Sequence, residues 1–233
     1  MTDILYVLAD KAKRGSEREL RVSLRSLEKN CKDLGTVYIA TDELPDWIDN
    51  VYHIESHDTD KRENNAFRKT LIACKVFEKM GAKEFLFMND DFFMMDSFEA
   101  KSYPYFICGD VQFINNPSRY QQVQNNTIFL LNSLGVEKVN DFRCHCPIIY
   151  DVDKFLSLEK YYIKIKDSNV GYSPRLLYGN LFVKDYVQEK DCKLWSNEDI
   201  RKTKQKCIST SDDADDVLEQ IESIFNKKSK YEK

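Results

Sequence analysis

The sequence predicts an α/β fold with a mixed central sheet, a helical C-terminal part and a site at the carboxyl ends of the strands. Three observations predict it. Phe85 to Met88 form an uninterrupted apolar run with no polar face, the pattern of a strand covered on both sides. Strand-like and helix-like periods alternate through the first ninety residues, as in chains that build βαβ units. A length of 233 residues, 42% of them hydrophobic, with 14 Phe and 13 Tyr, suits one ordered domain, because single cores stop growing only near about 250–300 residues.

Asp3 to Ala9 reads as a first strand. Ser16 and Glu19 have the S-x-x-E spacing of a capping box and open a helix on which Leu20, Leu24, Leu27 and Cys31 share one face. Thr36 to Ala40 is a second strand and Val51 to Ile54 a short third one. Glu63 to Met80 carries Phe67, Leu71, Cys74 and Phe77 on one side and stops at Gly81, a helix C-terminus signal, and then feeds the Phe85 strand. Beyond it we expect a strand within 105–115, a helix over 118–134, a strand over 147–150 and helices over 152–160 and 175–187. A last helix follows Asp212, Asp213, Asp215 and Asp216, whose charges complement its amino end. No repeat or linker divides the chain, which is read as a single domain over 1–233, with halves at 1–100 and 101–233.

The chemistry is concentrated where the Phe85 strand ends, at Asn89-Asp90-Asp91. Burial disfavours ionised carboxylates unless a cation or donors compensate them, and open α/β sheets collect their ligands at carboxyl strand ends. Paired acids there suggest a divalent ion with a phosphate-bearing ligand. Asp10 ends the first strand and shares that edge. No glycine-rich phosphate loop follows the first strand, and the chain has 7 Gly in all, which disfavours dinucleotide-binding dehydrogenases and P-loop NTPases. Asn64 and Arg68 lie one turn apart near the start of the second helix, on a face expected to open toward the strand ends.

Two resemblances sharpen this picture. Asn89-Asp90-Asp91 resembles the D-x-D class motif of GT-A glycosyltransferases, with Asn in the first position. Glu19 to Leu27, Val37 to Asp42, Leu44 to Trp47 and Phe87 to Phe93 are similar, in order and spacing, to the Stealth-type sugar-phosphate transferases and to small bacterial and phage glycosyltransferases. The chain departs from Stealth proteins in its opening strand, YVLAD, and in its shortness. The resemblance covers about the first hundred residues and implies a GT-A-like (Rossmann-like) nucleotide-sugar-binding domain, with a nucleotide-binding half over 1–100 and an acceptor half over 101–233. It implies transfer of a sugar from a nucleotide sugar, above all a UDP-sugar, with Mn²⁺ or Mg²⁺ held by Asp91 and His145 as the catalytic and metal residues. Donor contacts fall to Asp10, Arg21, Asn64, Arg68, Asn89 and Asp90. Asp110, Asp151 and His145 are the candidates for an acceptor base.

The acceptor is a hydroxyl, on duplex phage DNA bearing hydroxylated pyrimidines or on a saccharide. Net charge is −4, so a polyanion would need a local patch. The segment Lys154 to Lys206 is basic and rich in Tyr and supplies Lys202 and Lys204 as acceptor contacts. Alternatives are a capsule or surface-polysaccharide transferase and a non-catalytic nucleotide- or DNA-binding module. No apolar run approaches the roughly 18 residues of a membrane helix, and the N-terminus lacks signal-peptide order. Seven cysteines in no regular framework fit reduced thiols in a cytoplasm. Cys144-His145-Cys146 lacks the paired C-x-x-C spacing of common zinc sites.

Overall fold

The computed structural model describes residues 1–11 and 17–233. Its main sheet has five strands in the order β3-β2-β1-β4-β7. β1 (Thr2–Val7), β2 (Leu34–Thr41), β3 (Tyr52–Glu55) and β4 (Glu84–Met88) run parallel, and β7 (Ile148–Asp151) is antiparallel to β4. The expected mixed central sheet is therefore present. Phe85 and Leu86 are fully buried and Phe87 is 7% exposed, as the absence of a polar face in the run requires.

Successive strand residues face opposite layers. Ile4, Tyr6, Val37, Ile39, Leu86 and Met88 pack on one side, against α1 (Arg18–Asn30) and the short strand β5 (Phe92–Met94). Leu5, Tyr38, Ala40, Phe85 and Phe87 face the other side. There they meet α2 (Asn65–Met80), α4 (Val152–Leu156), α5 (Glu159–Ile163) and α6 (Pro174–Phe182), with α3 (Arg119–Ser133) outside them. β10 (Cys207–Thr210) pairs antiparallel with β5 and parallel with β9 (Lys193–Leu194), a second sheet on the α1 side. α7 (Asp215–Ile224) buries Val217, Leu218 and Ile221 against Val22, Phe93 and Ile208.

Local signals explain most boundaries. α2 stops at Gly81, which takes a left-handed conformation with φ 77°. α3 starts at a full capping box between Ser118 and Gln121. α6 starts at Ser173 with Pro174 behind it. Ser16 of the expected capping box lies outside the described residues; the residue before α1 is Glu17, in a left-handed conformation, with its carboxylate on the Trp47 indole. The strand expected over 105–115 contracts to β6 (Phe106–Ile107), paired with β8 (Val187–Gln188) where helix was expected to continue. The chain after β6 pairs instead with the 139–141 segment. That pairing brings Cys108 and Cys144 together as a disulfide, a departure from seven reduced thiols that sequence separation concealed. The other five cysteines are free and buried.

Candidate active site

The order 3-2-1-4 makes the boundary between β1 and β4 a switch point. The chain leaves β1 into α1 on one face of the sheet and enters β4 from α2 on the other. A crevice opens at the carboxyl ends of two such strands. Asp10 follows one of them and Asn89-Asp90-Asp91 follow the other.

Asp90 and Asp91 are half-buried in the turn between β4 and β5, which closes through the Phe92 amide on the Asn89 carbonyl at 3.2 Å. Burial, with the charges of Asp91 and Glu19 beside it, pushes the Asp90 carboxyl up to about 7. Burial also raises Asp91, opposed by the Ser209 hydroxyl that donates to its Oδ2 at 2.6 Å and by the nearby His145 and Lys193. Glu19, in the first turn of α1, is raised by burial and by Asp91 and accepts from the Thr210 hydroxyl at 2.9 Å. Three carboxylates thus lie within electrostatic reach of one another with too little positive charge, an arrangement that a cation relieves.

No three His, Cys, Asp or Glu side chains among the described residues form a ready-made metal shell. Mg²⁺-type ions do not need one, because they keep waters and are held by one or two carboxylates together with substrate phosphates. The strained charge balance at Asp90 fits that mode. His145 is fixed by Asp191, which accepts from its backbone amide at 2.9 Å and meets its Nδ1 at 2.7 Å. A carboxylate on one ring nitrogen leaves the other, Nε2, available and sets the tautomer.

The other half of the crevice is organised by Lys69. Its side chain is 1% exposed and donates to the Leu8 carbonyl at 2.8 Å. It also pairs with Asp10 at 2.9 Å and Asp58 at 2.8 Å. The Asp58 amide donates to Asp10 at 2.7 Å. A cavity of about 750 Å³ opens beside this cluster, lined by Val7 to Ala9, Asn65, Lys69 and the guanidinium-bearing Arg62 and Arg119.

The structure brings Asp10, Asn89, Asp90 and Asp91 to one edge, with His145 within electrostatic reach of Asp91. Arg21 lies elsewhere, stacked 3.8 Å over Trp47 and paired with Glu232 at 3.2 Å. Asn64 turns inward and donates to the Ile165 and Val170 carbonyls at 3.1 Å. Arg68 donates to the His57 carbonyl at 2.6 Å. Asp110 pairs with Lys138. Asp151 caps α4 and lies opposite Glu84, at the far edge of the sheet from the acids. The basic segment divides between the two faces. Its α4 and α5 part packs with the layer around α2, whereas Cys192 and Cys207, flanking Lys202 and Lys204, belong to the α1 layer. Lys69, Asp191 and Ser209 were not singled out from the sequence, and Glu19 was read there as a capping-box residue and not as part of the acid cluster.

No protein-family model matches the chain, and no curated protein matches it. Solved structures match in shape. A structure of an active-site mutant of LgtC aligns over 98% of this chain and 98% of that chain, with a TM-score of 0.52 and 10% sequence identity. A structure of the galactosyltransferase LgtC in complex with donor and acceptor sugar analogs aligns over 83% of this chain and 76% of that chain, with a TM-score of 0.46 and 12% identity. The full-length alignment shows a shared fold, and the expected GT-A-like architecture is borne out.

Proposed function

We propose that this protein is a glycosyltransferase that moves a sugar from a nucleotide-sugar donor to an acceptor hydroxyl. The carrying observation is the cluster of Asp90, Asp91 and Glu19 at the switch point, where burial first and the neighbouring carboxylates second raise Asp90 to about 7. Asp91 and Asp90 would hold Mn²⁺ or Mg²⁺ together with the substrate's phosphates, and His145, within electrostatic reach of Asp91, would be the further candidate ligand. When bound, the ion supplies charge neutralisation to the leaving diphosphate.

The chain's own residues carry the remaining tasks. Asp10, pinned by Lys69, presents its carboxylate beside the cavity at the end of β1, where it orients the nucleoside by hydrogen bonds. Arg62 and Arg119 share that cavity with Asp58 and Asp60, and Arg119 is paired with Glu63, so the wall offers donors and acceptors together. Asn89 contacts ribose or donor sugar. We propose a saccharide as the acceptor. Duplex DNA would need a continuous basic stripe, and the division of the Lys154 to Lys206 segment between two faces supports no such stripe.

The test is hydrolysis and transfer from a panel of nucleotide sugars, with Mn²⁺, Mg²⁺ or a chelator, using wild type and Asp91→Asn. Metal-dependent release of the nucleoside diphosphate is expected, falling in the variant by about 10²-fold or more. Turnover that ignores both the chelator and the substitution would overturn the assignment. Release of a nucleoside monophosphate with a transferred sugar phosphate would identify a sugar-phosphate transferase instead.

A further inference from the structure

A second cavity, of about 600 Å³, opens between the 97–106 and 189–207 segments, within the range of roughly 300–1,000 Å³ typical of small-molecule sites. Its wall is aromatic. Tyr103 meets Phe98 and Phe106 edge-on, with ring centroids 5.7 and 5.8 Å apart. Its floor is made of the buried thiols Cys146, Cys192 and Cys207. Burial pushes Cys146 up to about 12 and Cys207 well above its ordinary value, so both are uncharged.

Two features show that this is more than a packing gap. Tyr103 is 7% exposed and lines the cavity; its hydroxyl makes no hydrogen bond among the described residues and is not fully closed off from solvent. A hydroxyl at a cavity wall with no protein partner is free to donate to a ligand that enters. Burial also keeps the phenol protonated, so the hydroxyl remains a donor. The rim carries Lys190, Lys204 and Lys206, all exposed and none in an ion pair among the described residues. Glu99 and Glu189 share that rim, which leaves an excess of one positive charge.

We propose that this cavity is a binding site for a small apolar monoanion. Its ring or short chain lies against Phe98, Tyr103 and Phe106, an acceptor atom on that body meets the Tyr103 hydroxyl, and its single negative charge sits at the lysine rim. Neither the wall nor the rim includes Asp10, Asp90 or Asp91, so the site stands whether or not the chain transfers sugars.

The test uses 6-methoxy-2-naphthoate as the probe, titrated calorimetrically into the full chain beside its neutral carboxamide. Saturable one-to-one binding of the naphthoate is expected. The carboxamide, and the double variant Lys204→Glu/Lys206→Glu, should each bind about tenfold more weakly, equivalent to about 1.4 kcal/mol. Tyr103→Phe should weaken binding several-fold, roughly the loss of one hydrogen bond. Ser102→Trp is a rim substitution at an exposed position that should close the mouth without disturbing the fold. Asp91→Asn should bind the probe as wild type does. Absence of saturation up to about 1 mM, equal binding of naphthoate and carboxamide, or unchanged binding in folded Ser102→Trp would each overturn the proposal.

Discussion

At the scale of the residue, Asp90 and Lys69 are opposite solutions to burying charge. Asp90 is left with repulsive neighbours and binds its proton up to about pH 7. The folded chain therefore holds more protons there than the unfolded chain between about pH 4 and pH 7, so stability falls as pH rises through that window and stays low above it. Asp90→Asn removes the penalty. Its melting temperature should exceed that of wild type at pH 8 by at least about 2 °C and match it at pH 4, as thermal scans at the two pH values will show. Lys69 instead has every donor contact it needs. Lys69→Met removes the buried cation between Asp10 and Asp58, and should lower unfolding free energy by about 3–5 kcal/mol, measured by urea denaturation. Asp10, Asp90 and Asp91 could be found in the sequence because each ends a strand. Lys69 could not. It stands beside Arg68 in a helix rich in lysines, and only the rotation of α2 on the sheet decides that Lys69 reaches the strand ends while Arg68 turns to His57. Asp191 was hidden for another reason: its partner His145 is 46 positions away.

At the scale of the element, legibility followed the strength of the period. The strands and helices of the first ninety residues have clean apolar faces and sharp stop signals such as Gly81, and they fall within a few residues of their expected places. β5 and β10, which hold the Ser209 contact to Asp91, are three and four residues long, too short for alternation to register. The expected helix over 152–160 breaks at Ser157 into α4 and α5, where Leu158 is drawn into the α2 layer. β4 is the element on which the site depends, because it places the acids. Phe87 packs against Tyr150, with centroids 5.6 Å apart. Phe87→Ala should destabilise the chain by about 3–5 kcal/mol, read from denaturant midpoints at unchanged slope.

At the scale of the whole molecule, the C-terminal residues return to the start of the chain. Glu232 has a side chain 1% exposed and binds Arg25 at 2.7 Å and Arg21 at 3.2 Å, and these arginines hold its carboxyl down to about 2. Arg21 and Arg25 thus anchor the tail to α1, whose first turn carries Glu19 into the acid cluster. Among the described residues no helix is long and apolar enough to cross a membrane. The central claim, that Asp90 and Asp91 hold a divalent ion against a diphosphate at the β1/β4 switch point, is tested most directly by calorimetric titration of UDP with and without Mn²⁺, in wild type and Asp91→Asn. Mn²⁺ should tighten UDP binding to wild type by about tenfold or more, about 1.4 kcal/mol, and leave binding to the variant unchanged. UDP binding of equal strength in all four titrations would contradict the claim.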